Sequence, residues 1–184
     1  GSEMCIRDSA GALGQTPATS GQGKYKIDSN YGTTLFQGGM VASAAGYIVD
    51  GQTAAAPVIG TLNGIFFNAA TTLKPTFANF YTANTVPANS EDIDAFVIDN
   101  PQQQYVCGTD AAVTQAGFLE TYDMNASAGS TSTGKSTSTL NIGVTGADNK
   151  SLRLLRVAED PENEDITAGF CSVVVCPNLI ELQS

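Results

Sequence analysis

The sequence contains no histidine and no tryptophan. It has only 8 lysines and arginines against 18 aspartates and glutamates, and four cysteines in 184 residues. Without histidine there is no Ser-His-Asp triad, no Cys-His dyad and no imidazole-ligated metal. A formal net charge of −10 speaks against nucleic acid as a partner, because neutralising phosphates takes a basic face. No apolar run approaches the roughly 20 residues of a membrane-spanning helix, and the longest, around Val173, Val174 and Val175, is far shorter. No C-x-x-C spacing occurs, so neither a zinc knuckle nor a thioredoxin-like motif is present.

What remains describes a folded chain. Hydrophobic residues make up 42 % and charged residues 14 %, and the length suits one domain able to bury a core without disulfides. The first nine residues, Gly-Ser-Glu-Met-Cys-Ile-Arg-Asp-Ser, match the translation of a transposon-type sequencing adapter. Residues 1–9 are therefore expected to be an assembly scar, with the natural chain running from about Ala10. Cys5 leaves with them. The remaining Cys107, Cys171 and Cys176 are an odd set and read as small buried hydrophobes in a reducing compartment. Cys171 and Cys176, five apart in a strand-like run, should face opposite sides.

Residues 10–23 are rich in Gly, Ala, Thr, Ser and Gln, with Pro17 and no periodicity, and are expected to form a flexible arm. A single β-rich domain is expected over residues 24–184. Short runs of β-branched and aromatic residues fall at 24–28, 33–37, 40–42, 47–50, 58–67, 94–98, 104–107, 116–124, 140–145, 152–157 and 169–176. Tyr25 and Ile27 share one side, as do Leu152 and Leu154, with Arg153 turned to water. The adjacent Leu154 and Leu155 break the alternation, which predicts a bulge before Arg156. Gly38-Gly39 and Asp50-Gly51 look like hairpin punctuation. No window carries a helical stripe; the best, residues 111–121, contains Val113, Thr114 and Gly117, poor helix formers. Short strands at near-regular spacing mean an all-β fold, a sandwich or a barrel of antiparallel strands with long loops.

Five motifs have a chemical reading, to be set beside plainer ones. Gly129-Ser-Thr-Ser-Thr-Gly134-Lys135-Ser136 spells G-x-x-x-x-G-K-[ST], but a phosphate loop needs an apolar strand before it and a helix after it. Polar residues precede it and a strand-like run follows, so residues 127–139 are expected to be a Ser/Thr/Gly surface loop. Glu159, Asp160, Glu162, Glu164 and Asp165 place five carboxylates within seven residues. Calcium-loop spacing is absent, and a solvated acidic turn is expected rather than a divalent-cation site. Glu91, Asp92 and Asp94 read as a charged strand edge, not as paired catalytic acids. Phe66, Phe67, Phe77, Phe80 and Tyr81 crowd the region around Lys74-Pro75 and are expected to pack into the core under a long loop. Asn125-Ala-Ser127 is a glycosylation sequon of consequence only in a secretory pathway. No catalytic, cofactor-binding or metal-ligating residues are expected.

Read in order, several segments resemble a known family. They are 24–38 (KYKIDSNYGTTLFQG), 58–67 (VIGTLNGIFF), 74–81 (KPTFANFY), 94–99 (DAFVID), 128–136 (AGSTSTGKS) and 154–163 (LLRVAEDPEN). Together they are similar to small virion structural proteins of tailed, marine-type phages, grouped as head or capsid-decoration proteins. The likeness runs from about Lys24 to Leu182 and rests on the order and spacing of segments. Gly39-Met40 stands where that family commonly has an acidic residue. The resemblance implies a non-enzymatic protein that decorates or cements the capsid shell, made in the host cytoplasm and carried on the virion surface. Implied partners are the major capsid protein and neighbouring copies of the chain, a trimer fitting lattice three-fold positions, with neither nucleic acid nor membrane. A tail or head-closure component and an extracellular carbohydrate- or surface-binding β module are the alternatives. An adapter-derived start fits an uncultured viral source.

Overall fold

The computed structural model describes residues 21–52, 57–125, 129–146, 150–159 and 165–181, with the side chains of 144–146 left aside. Two antiparallel sheets pack together as a β-sandwich, and neither closes into a barrel. The first sheet holds β1 (Gly23–Ile27), β2 (Met40–Ala44), β3 (Tyr47–Asp50), β4 (Gly60–Asn68), β5 (Pro75–Ala78) and β6 (Ile93–Ile98). Its order is β1-β6-β4-β2-β3, with β5 paired to the far half of β4. The second sheet holds β7 (Tyr105–Gly108), β8 (Thr121–Met124), β9 (Leu140–Gly146), β10 (Leu152–Val157) and β11 (Ser172–Pro177), in the order β7-β11-β10-β8-β9.

Alternation in the sequence decides which side chains meet. Ile27, Leu62, Ile65, Ile93, Ala95 and Val97 gather on one face of the first sheet with Val41, Ile48 and Tyr81. Leu62 and Ile65 are three apart, yet both point inward because the ladder to β6 shifts register between Leu62 and Gly64, leaving Asn63 as the extra residue of a bulge. The second sheet buries Tyr105, Cys107, Tyr122, Leu140, Leu152, Leu154, Val173 and Val175, and Met40 and Ile98 from the first sheet, with Val58 just ahead of β4, close over them. Each of three buried tyrosines donates its hydroxyl to a backbone carbonyl outside its own strand: Tyr81 to Tyr31 (2.7 Å), Tyr105 to Ile98 (3.1 Å) and Tyr122 to Gly117 (2.9 Å). A phenol thus fills core volume and pins a neighbouring segment at once.

The predicted bulge between Leu154 and Arg156 is present, and Arg153 lies half-buried between two fully buried leucines. Three expectations differ from the structure. Residues 33–37 form isolated bridges at Leu35 and Gln37, not a strand. The run 116–124 reaches strand geometry only at Thr121, after a 3-10 turn at Gln115–Gly117 and a positive φ of 68° at Leu119. The β2–β3 hairpin turns at Ala45-Gly46, both with positive φ as an I′ turn demands, whereas Asp50-Gly51 ends β3. Of the arm expected over residues 10–23, residues 10–20 lie outside the described residues, and Gly23 already opens β1.

Candidate interaction surface

The face of the first sheet opposite Ile93, Ala95 and Val97 carries two rows of side chains that cross its strands. In one row Lys26 pairs with Asp94, Asp94 with Phe66, and Phe66 with Phe77 on β5. In the next, Lys24 pairs with Phe96 and Phe96 with Gly64. The missing side chain at Gly64 leaves an open groove of about 330 Å³, whose lining includes Phe96, Phe77, Ala78, Asn63 and Gln22. Phe66 and Phe77 stand 4.6 Å apart between ring centroids at 44°. Phe77 is nevertheless 75 % exposed, which corrects the expectation that the whole aromatic group is core. Only Tyr81 of that group is fully buried, while Phe66, Phe67 and Phe80 are half-buried.

At the tip of the β4–β5 ribbon stands Leu73, 70 % exposed and at φ +53°. A leucine in that region suffers a Cβ–carbonyl clash worth about 1–2 kcal/mol, which glycine avoids and asparagine tolerates. Leu119 repeats the combination in the second half of the chain, 62 % exposed at φ +68°. Its amide donates to Leu154 O and its carbonyl accepts from Arg153 Nη1 at 2.6 Å, so the turn is held firmly despite the strain. Neither leucine helps the fold by its conformation or by burial. Sequence reading passed over both; the available signal was a lone large apolar residue in an otherwise polar turn, as in Thr71-Thr-Leu73-Lys-Pro75.

On this face two lysines share one carboxylate. Asp94 accepts from Lys26 Nζ at 2.5 Å and lies 2.8 Å from Lys24 Nζ. Burial alone would raise its pKa, but the hydrogen bonds and attraction of the two ammonium groups outweigh burial and hold the carboxyl below its ordinary value. A carboxylate depressed in the folded state stabilises it above the unfolded pKa, and that contribution is lost as pH falls through the folded value. Unfolding free energy is therefore expected to drop as pH falls below about 4. Asp94→Asn is expected to flatten that part of the curve, measured by urea unfolding from neutral to strongly acidic pH. β1 ends the order of the first sheet and, among the described strands, ladders with β6 alone.

The remaining sequence motifs have structural uses. In the G-x-x-x-x-G-K-[ST] segment, Gly129 bridges Ser136, Ser130 N donates to Lys135 O, and Gly134 turns at φ +71°. The loop folds back on the sandwich, with Gln37 N donating to Gly134 O and Asn79 Nδ2 to Thr133 O at 2.8 Å. β9 follows, so no helix N-terminus faces the loop. Gly134, Ser136 and Ser138 are buried, which makes this a packed loop and not merely a surface one. Of the acidic turn only Glu159 and Asp165 are described; Asp165 accepts from the amide and hydroxyl of Thr167, which lowers its pKa. Among the described residues no three acidic or cysteine side chains converge to hold a metal ion.

Cys107 and Cys171 are buried, with burial pushing the Cys107 thiol up to about 12, and Cys176 is half-buried on the opposite face. Asn125 spends its side-chain amide on Asp110 and Thr139, at 2.9 Å and 2.7 Å. No helix among the described residues is long and apolar enough to cross a membrane. No protein-family model, no curated protein and no solved structure matches the chain.

Proposed function

We propose that this chain is a structural protein of a phage virion, decorating or cementing the capsid shell through protein–protein contacts without catalysis. The observation that carries this reading is Leu73: a large apolar side chain held at φ +53° and 70 % exposed on the ribbon tip. Natural sequences break a local rule where function compensates, and an exposed leucine in a strained turn contributes to a surface rather than to folding. Apolar anchors of this kind dominate binding when a partner covers them. Many copies on a shell lattice multiply modest contacts into durable attachment. The order of segments similar to small head proteins points the same way.

The reading is tested by sedimenting the protein with empty shells of the major capsid protein encoded beside its gene. The chain is expected to pellet with the shells, and Leu73→Asn is expected to weaken binding at least tenfold. The same substitution is expected to raise unfolding free energy by about 1 kcal/mol, because asparagine tolerates the turn. Co-sedimentation with tail structures and not with shells would place the protein elsewhere in the virion and overturn the capsid assignment. Unchanged shell binding by Leu73→Asn would remove the contact ascribed to the ribbon tip.

A further inference from the structure

β4 carries the one Asn-Gly pair of the sequence, Asn63-Gly64, at its bulge. Leu62 stands opposite Val97 and Gly64 opposite Phe96, so Asn63 has no counterpart on β6. Both residues of the pair are half-buried and line the open groove, where water reaches them. Gln37 aims its side-chain amide at the same place. Its Nε2 donates to Asn63 O at 3.1 Å and to Asn63 Oδ1 at 3.3 Å. Among the described residues nothing accepts from Asn63 Nδ2. Gln37 is itself held from three directions: its N donates to Gly134 O and its O accepts from Ser136 N, both at 2.9 Å, and its Oε1 accepts from Asn79 Nδ2 at 3.5 Å. The packed loop 129–136 thus fixes Gln37 against the Asn63 amide.

We propose that Asn63-Gly64 is a modification site at which the folded chain deamidates itself, with Gln37 assisting. The Gly64 nitrogen, losing its proton to solvent base, attacks Asn63 Cγ. Negative charge develops on Oδ1, where the Gln37 Nε2 hydrogen bond stabilises it. The Cγ–Nδ2 bond then breaks, Nδ2 takes up a proton and leaves as ammonia, and a five-membered imide remains. Water from the groove opens the imide at either carbonyl, giving aspartate or isoaspartate. One water is consumed, one ammonia is released and nothing is oxidised or reduced. Attack within one chain replaces the enzyme that a bimolecular step would need. Glycine crowds the attacking nitrogen least, because it has no Cβ. The product places a carboxylate in a groove that has no charged lining residue. This chemistry belongs to the chain alone and does not depend on the capsid reading.

The test is to hold the whole folded protein at mildly alkaline pH and body temperature, then map it by mass spectrometry with isoaspartate labelling. Aspartate and isoaspartate are expected to accumulate at position 63, while Asn68, followed by alanine on the same strand's end, converts roughly tenfold more slowly. Gln37→Leu is expected to slow conversion at position 63 severalfold. A merely structural Gln37 would act the other way, since loosening the bulge speeds the reaction, and an unchanged or faster rate in that variant would overturn the assisting role. Asn63 left intact in the folded chain, while the same chain in urea converts, would overturn the proposal as a whole.

Discussion

Lys150→Met is expected to lower unfolding free energy by about 3–5 kcal/mol, the usual result of stranding one half of a buried ion pair. Lys150 Nζ lies 2.7 Å from Asp123 Oδ2, with the two side chains only 16 % and 8 % exposed. The pair joins the segment entering β10 to β8, and the backbone carbonyl of Lys150 accepts from Asn178 Nδ2 at 2.9 Å. Methionine keeps the volume and removes the charge, so the loss measures the ion pair and not a cavity. For a domain of this size that is roughly 6–20 °C in Tm. The double variant Asp123→Leu, Lys150→Met is expected to recover most of the loss, since replacing a whole buried pair by apolar groups is often neutral. If the single variant melts within a degree or so of the parent, the pair is not holding these strands.

Gly60→Ala is the second large effect. A Cβ built there runs into the carbonyl oxygen of Ile98 and comes within 2.8 Å of its carbonyl carbon. Both are backbone atoms of the neighbouring strand, which no rotamer change can move away. Gly60 faces Val41 on the other side, so the strand cannot shift without breaking a second ladder. A cost of about 3 kcal/mol or more is expected, at the upper end of overpacking, and thermal unfolding measures it. Gly143→Ala is the control: its nearest contact would be Asn141 Oδ1 at 3.5 Å, ordinary van der Waals distance. Surface changes of that kind stay within about 0.5 kcal/mol.

These effects were not equally visible in the sequence. The period-two pattern located nearly every strand, and β3 and β10 coincide with residues 47–50 and 152–157. β5 escaped because it opens on Pro75, a residue that suits only the first position or an edge of a sheet, and here it occupies both. The bulge at Leu154-Leu155 announced itself through two adjacent leucines. The bulge at Asn63 did not, because Leu62-Asn-Gly-Ile65 reads equally well as a turn. Burial of the aromatics was misjudged for a general reason. Composition says that Phe77 is apolar, but only the pairing of Phe66 with Phe77 shows that the ring sits on the outer face. Leu73 and Leu119 escaped because backbone strain has no signature in residue type.

Each sheet is continuous in the chain: the first is complete by Ile98 and the second begins at Tyr105. During synthesis the amino-terminal strands can all find their partners while the remainder is still being made. At about 5–20 residues per second that interval lasts several seconds. Throughout it, Met40, Val58 and Ile98 lack the cover that the second sheet later provides. A ribosome-bound half-protein would thus present a sticky face, open to chaperone capture or to premature pairing between nascent copies.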